Sequence, residues 1–242
     1  MPERIAILGL PVDLVTCEEA VRIAEYLIKQ DTSHYIVTLN PEMAMLAQKD
    51  TEFAKIVNSA AMVLPDGIGI VWAGRHLGYS VPERVAGYDF VQSLLKNAGK
   101  LSQKVFFLGG KPGVAERASI CAQNQFPGLM IAGTYHGYFN RAEEAQVVKM
   151  IVQAQPDILL VALGSPAQER WLSRYLKETK ARLGIGVGGT FDVMAGTVRR
   201  APVWMQKYGL EWFFRLLNQP QRISRMLVLP KFVLKVITAK KY

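Results

Sequence analysis

Thiols and imidazoles are scarce in this chain. Its two cysteines, Cys17 and Cys121, lie far apart and form no CxxC pair. That excludes a disulfide framework and a cysteine-based zinc site, and it fits a reducing compartment. The three histidines, His34, His76 and His136, show no ligand spacing, so no metal site is expected from them. There is no fixed-period repeat and no low-complexity tract, which argues against a solenoid and against disorder. No uncharged apolar run approaches the roughly 20 residues that a membrane-spanning helix needs. The opening MPERIAILGL lacks a basic stretch before a long apolar core and turns acidic at Asp13 and Glu18. It is therefore not expected to act as a signal peptide. No GxSxG elbow and no GxxxxGK[ST] phosphate loop occur. No DxD pair occurs either, which removes support from metal-dependent sugar transfer through two carboxylates.

What remains is a 242-residue chain that is half hydrophobic, enough for one well-buried core. Its charge is unevenly placed. From Arg199 to Tyr242 ten Lys or Arg face a single acid, Glu211, so this stretch carries the whole net charge of +9. Residues 1–198 are balanced. The expected organisation is a body over 1–198 and a basic, aromatic-rich appendage over 199–242. Such a tail suits an anionic membrane, an acidic substrate or nucleic acid.

In the body, short apolar runs alternate with amphipathic stretches. Strands are expected at 4–8, 35–39, 61–64, 105–108, 129–133, 158–163 and 183–187. Helices are expected at 17–30, 41–48, 51–58, 68–75, 88–98, 112–125, 142–155 and 166–179. This alternation predicts an α/β fold, a Rossmann-like and mostly parallel sheet flanked by helices. Asn40-Pro41 and Ser165-Pro166 each place a capping residue before a proline at the first helical position. In the appendage Trp204, Tyr208 and Trp212 are spaced by four, which predicts one shared helical face. Pro230 is expected to break or kink any helix there. Aromatics interleaved with Arg and Lys fit an amphipathic element lying in a membrane interface.

Open α/β sheets bind ligands beyond the carboxyl ends of their strands, so the loops after the apolar runs carry the candidates. Thr38 and Asn40 offer a hydroxyl and an amide to sugar hydroxyls, although Asn40 also suits a plain helix cap. Asp66 follows a buried run and is placed to act as a general base, although Pro-Asp-Gly is also an ordinary turn. Arg84 can pair with phosphate or be a solvated surface group. Gly109, Gly110 and Gly113 form a glycine turn opening a helix, a nucleotide cradle in outline. Gly164 and Gln168 stand where a second strand opens into a helix. Residues 184–189 spell GxGxxG, but two of these glycines fall inside the expected strand, unlike a dinucleotide fingerprint. Gly188, Gly189 and Asp192 can still meet a nucleotide.

Together TLNPEM, LPDGIG, ERVAG, FLGGKPG, ALGSPAQE and GGTFD, in this order from about Ile5 to Arg200, resemble the WecG/TagA/CpsF family of bacterial glycosyltransferases. The resemblance implies an inverting, metal-independent and cofactor-free transfer from a UDP-sugar to a polyprenyl-diphosphate-linked sugar. The family's best-known reaction moves N-acetylmannosamine onto undecaprenyl-diphosphate-linked N-acetylglucosamine; relatives use UDP-N-acetylmannosaminuronate or other UDP-sugars. It also implies Asp66 as the base, Thr38, Asn40, Arg84 and Gln168 as substrate groups, and Arg215, Arg222 and Arg225 of the appendage as partners of the lipid diphosphate. The expected location is the inner face of the plasma membrane, peripherally bound, with homo-oligomerisation left open. Three other readings compete on sequence, one of them a catalytically silent membrane scaffold, against which Asp66, Arg84 and Gln168 together speak. A nicotinamide-dependent oxidoreductase is suggested by GIGVGG, and a nucleic-acid binder by the pI of about 9.6. The neutral body speaks against the nucleic-acid binder.

Overall fold

A computed structural model describes residues 2–218 and 227–239. The chain opens with a hairpin of β1 (Arg4–Ile7) and β2 (Leu10–Asp13), followed by α1 (Cys17–Ile28). Then come β3 (His34–Leu39), α2 (Pro41–Ala47), α3 (Thr51–Asn58), β4 (Met62–Pro65), α4 (Ile68–His76) and α5 (Gly87–Lys100). The second half runs β5 (Lys104–Gly109), α6 (Val114–Gln125), β6 (Met130–Tyr135), α7 (Glu144–Ala154), β7 (Ile158–Ala162), α8 (Ala167–Thr179), β8 (Leu183–Gly186) and α9 (Thr190–Met194). The stretch 199–242, expected to be an appendage, holds α10 (Val203–Lys207), α11 (Glu211–Asn218) and α12 (Val228–Thr238).

Six strands form one parallel sheet in the order β4-β3-β8-β7-β5-β6. Its inner strands are buried on both faces, which is why β7 reads ILLVA without alternation. Successive side chains still divide between the faces. Phe107 and Leu160 join a core under α1, α5 and α6, whereas Phe106 and Leu159 join one under α7 and α8. A third cluster sits at the β4 end, where the hairpin, α2, α3 and α4 meet Phe232 and Val236 of α12. The expected α/β class is thus the observed one.

Four local expectations differ from the structure. The hairpin was legible only as one strand. Its link is the two-residue turn Leu8-Gly9, both at positive φ (50° and 78°); Leu8 lacks the usual turn chemistry and instead packs on the third cluster. Asp13 at the end of β2 is buried, takes two bonds from Arg4 and accepts the Val63 N–H at 2.7 Å. It thereby occupies a main-chain donor of edge strand β4. Second, Ser165 does not cap α8; the position before the helix is Pro166, with no side-chain cap. Third, Trp204, Tyr208 and Trp212 share no helix. Gly209, at φ +70°, ends α10 and turns the chain before α11. A Cβ there would stand 2.9 Å from Ile68. Fourth, Pro230 lies in the first turn of α12, where no intrahelical partner for its missing N–H is required, so the helix starts there and is not broken.

Candidate active site

The carboxyl ends of β3, β4, β7 and β8 open into a cavity of about 860 Å³. Each strand delivers a loop to it. After β3, Asn40 accepts the Met43 N–H at 3.0 Å and so caps α2, with Pro41 in the first turn. The capping reading of Asn40 is therefore correct, and the residue lines the cavity as well. Thr38 faces Gly87 at the start of α5, where a Cβ would come within 3.2 Å of the threonine methyl. After β4, the Asp66 N–H donates to Leu39 and Leu64 carbonyls, both at 2.9 Å. This ties the Asp66 loop to the end of β3. Gly67, at φ +90°, then opens α4.

The glycine-rich stretch has a packing explanation. A Cβ on Gly184 would meet Leu172 and Leu176 of α8 within 3 Å, and one on Gly186 would stand 2.6 Å from Gln168 Nε2. These glycines let α8 lie close on β8 and let the Gln168 amide reach across. Gln168 Oε1 then accepts the Gly188 N–H at 2.9 Å, and Nε2 donates to Glu169 Oε1 at 2.7 Å. Glu169 is itself 2 % exposed, and its Oε2 meets no hydrogen-bond partner. Burial drives its carboxyl pKa upward, against the opposing bonds from Gln168 and Ser165.

Five charged side chains line the cavity: Glu42, Asp66, Arg84, Arg200 and Glu211. Arg84 pairs with Glu211 of α11 at 2.8 Å. Arg200 donates to the same carboxylate through Nε at 3.3 Å and to both Asp89 oxygens at 2.6 and 2.7 Å. It also stacks over Tyr88, 4.5 Å from the ring centre. Burial lowers the Arg200 pKa, but the Asp89 and Glu211 carboxylates outweigh it, so the net shift is upward. Met43, Leu46, Trp72, Trp212, Leu229 and Phe232 add an apolar lining.

Among the sequence-derived candidates, Thr38, Asn40, Asp66, Arg84, Gly164, Gln168, Gly188 and Gly189 line this one cavity. Gly109, Gly110, Gly113 and Asp192 do not. Gly109 is packed on β7, where a Cβ would lie 2.4 Å from the Ala162 carbonyl oxygen. Gly110 hydrogen-bonds Ala162 and Gly137, and Gly113 precedes α6. Asp192 borders a second cavity of about 480 Å³ with Lys111, Arg117 and Thr197. Arg215 lies on α11, while Arg222 and Arg225 fall outside the described residues. Arg200, Tyr88, Glu169 and Glu211 were not singled out for the site from sequence. The available signal for Glu211 was its being the one acid in a basic tail; Arg200 was indistinguishable from its neighbour Arg199. Among the described residues no three His, Cys, Asp or Glu side chains cluster as a metal site, and no helix is long and apolar enough to cross a membrane.

Comparison with known proteins gives the family. The model of the "Glycosyl transferase WecG/TagA/CpsF family" matches residues 5–242. A Bacillus subtilis (strain 168) protein named N-acetylglucosaminyldiphosphoundecaprenol N-acetyl-beta-D-mannosaminyltransferase is 38% identical over 219 residues, 90% of this chain and 85% of its own length. A Staphylococcus aureus (strain MRSA252) protein of the same name is 33% identical over 240 residues, 98% of this chain and 94% of its own. A family match over nearly the whole sequence, on a parallel sheet that brings Thr38, Asn40, Asp66, Arg84 and Gln168 to one cavity, leaves no room for the oxidoreductase or nucleic-acid readings: this chain belongs to the WecG/TagA/CpsF family of glycosyltransferases.

Proposed function

We propose that the chain transfers N-acetylmannosamine from UDP-N-acetylmannosamine to undecaprenyl-diphosphate-linked N-acetylglucosamine, with inversion, and that Asp66 is the general base. The reading is carried by one observation: Thr38, Asn40, Asp66, Arg84 and Gln168, drawn from four separate loops, line the same cavity. The names of the relatives supply the sugar and the acceptor.

In the proposed step the acceptor hydroxyl attacks the anomeric carbon from the face opposite UDP. The new carbon–oxygen bond forms as the bond to the UDP phosphate oxygen breaks, and the hydroxyl proton passes to the Asp66 carboxylate. Charge developing on the departing diphosphate is met by arginines through charge-assisted hydrogen bonds. Thr38 and Asn40 hold sugar hydroxyls, and the backbone at Gly164, Gly188 and Gly189 lies against the donor. No metal enters this step, so a chelator is expected to leave the rate unchanged.

The appendage is proposed to seat the enzyme on the inner face of the membrane. The exposure of Trp204, Tyr208, Trp212, Phe213, Leu234 and Ile237 supports this, since aromatic and aliphatic side chains beside lysines suit an interface. Arg215, Arg222 and Arg225 are proposed to meet the acceptor diphosphate.

The test is acceptor-dependent UDP release with a short-chain N-acetylglucosamine-diphosphate lipid, comparing wild type with Asp66→Asn. A loss of about 10²–10⁴-fold in kcat, with donor affinity kept, is the size expected of a removed general base. Wild-type activity with a different UDP-sugar alone would correct the donor. Full activity of the variant would remove Asp66 from the mechanism.

A further inference from the structure

The arginines that line the cavity are already paired, and one of their partners is unusual. Asp89 belongs to α5 and grips Arg200 with two short bonds. Glu211, by contrast, is the single acid between Arg199 and Tyr242. It comes from the appendage, at the first residue of α11. Its two oxygens are shared between two guanidinium groups, Oε2 with Arg84 and Oε1 with Arg200. The Arg84 and Glu211 side chains are 17% and 16% exposed, so the pair is sheltered from solvent screening. Arg84, Arg200 and Glu211 all line the cavity.

A carboxylate bridging two arginine forks is the arrangement that phosphate oxygens adopt with arginine. The four groups sum to zero charge, so a second anion gains full pairing there only by replacing one already present. Asp89 holds the outer edge of Arg200 and leaves Nε directed to the shared carboxylate. The replaceable member is thus Glu211. We infer that Arg84 and Arg200 form a diphosphate-ester site, and that Glu211 is its intramolecular occupant, displaced when the ester binds. The inference rests on the reading that this cavity takes the substrates, and it adds Arg200 and Glu211 to it. Displacement frees α11 from its ionic tie to Arg84 and Arg200, so ester binding and the setting of α11 become one event. The ester is the donor's diphosphate or the acceptor's; the chemistry is the same, and titration separates them.

The experiment titrates full-length wild type, Glu211→Gln and Arg84→Gln with UDP, with inorganic pyrophosphate and with a short-chain prenyl-diphosphate N-acetylglucosamine. Glu211→Gln is expected to bind pyrophosphate and one ester about tenfold more tightly, the scale of one charge-assisted bond no longer contested. The ester that gains identifies the source. The gain is expected to vanish when Arg84→Gln or Arg200→Gln is added. Unchanged or weaker binding of all three probes by Glu211→Gln overturns the inference and makes Glu211 a permanent clamp. Should that variant not fold, Glu211→Asp, which draws the carboxylate back by one methylene, is expected to gain less but in the same direction; no gain there has the same overturning force. Sugar transfer by the wild type is measured separately. A tighter-binding variant of a chain that transfers no sugar would keep the anion site and discard the proposed reaction. An active wild type whose variant gains nothing would do the reverse.

Discussion

Gln168 shows how a side chain of the cavity is set by its neighbours. Its amide is held between the Gly188 N–H and the Glu169 carboxyl, and it fits only because residue 186 has no Cβ. Glu169 is buried with its carboxyl pKa raised above the ordinary 4.5. The folded state therefore keeps a proton that the unfolded chain has released, so this group's contribution to stability falls as pH climbs from about 4.5 through the raised value. Glu169→Gln keeps an acceptor for Gln168 and carries no charge. The stability of wild type relative to this variant is expected to decline with rising pH in that window, followed by urea denaturation at a series of pH values. A difference that is flat with pH would mean that Glu169 is not neutral in the fold.

Among the elements, α2 carries two duties on one residue. Asn40 caps the helix through Oδ1 while lining the cavity. The duties can be separated. Asn40→Ala is expected to lose about 1 kcal/mol of stability along with activity. Asn40→Asp retains a capping oxygen and should keep its stability, while losing the amide that the proposed sugar contact needs. Thermal melts and initial rates on both variants check this; equal activity of Asn40→Asp and wild type would leave only the cap. The helices of the body were legible because their apolar periodicity is strong and their starts are marked, as at Asn40-Pro41. The appendage was harder. A spacing of four between Trp204, Tyr208 and Trp212 reads as one face, yet Gly209 turns the chain because its positive φ and its contact with Ile68 leave no room for a continuing helix. Pro230 misled in the opposite direction, since a proline that breaks a helix interior is harmless in a first turn.

At the scale of the whole molecule, the net positive charge sits at one end of the sequence. The excess of positive charge lies in the last fifth of the chain, the same stretch in which Trp204, Tyr208, Leu234 and Ile237 are exposed. Binding to vesicles containing anionic lipid is expected to weaken steeply with added salt, since each basic group near such a surface contributes about 1 kcal/mol and is screened within a Debye length. Replacing Leu234 and Ile237 by Ser should weaken binding at every salt concentration, as read by vesicle co-sedimentation. Salt-independent binding would put the weight on the apolar side chains alone.

The sequence by itself determined the α/β class, most of the elements, the placement of the excess positive charge and the residues of the loops that follow β3, β4 and β7. These follow from periodicity, local caps and the positions of short polar motifs, all of which act over a few residues. The tertiary structure alone decided the strand order, and with it which loops share a cavity. Strands β3, β4, β7 and β8 lie side by side although 147 residues of chain separate the ends of the neighbours β3 (Leu39) and β8 (Gly186), and β5 lies beyond them. That order leaves Gly109 and Gly113 outside the large cavity. It also brings Arg84, Asp89, Arg200 and Glu211 together, because ion pairing depends on distance in space, and nothing in the neighbourhood of any one of the four specifies its partners.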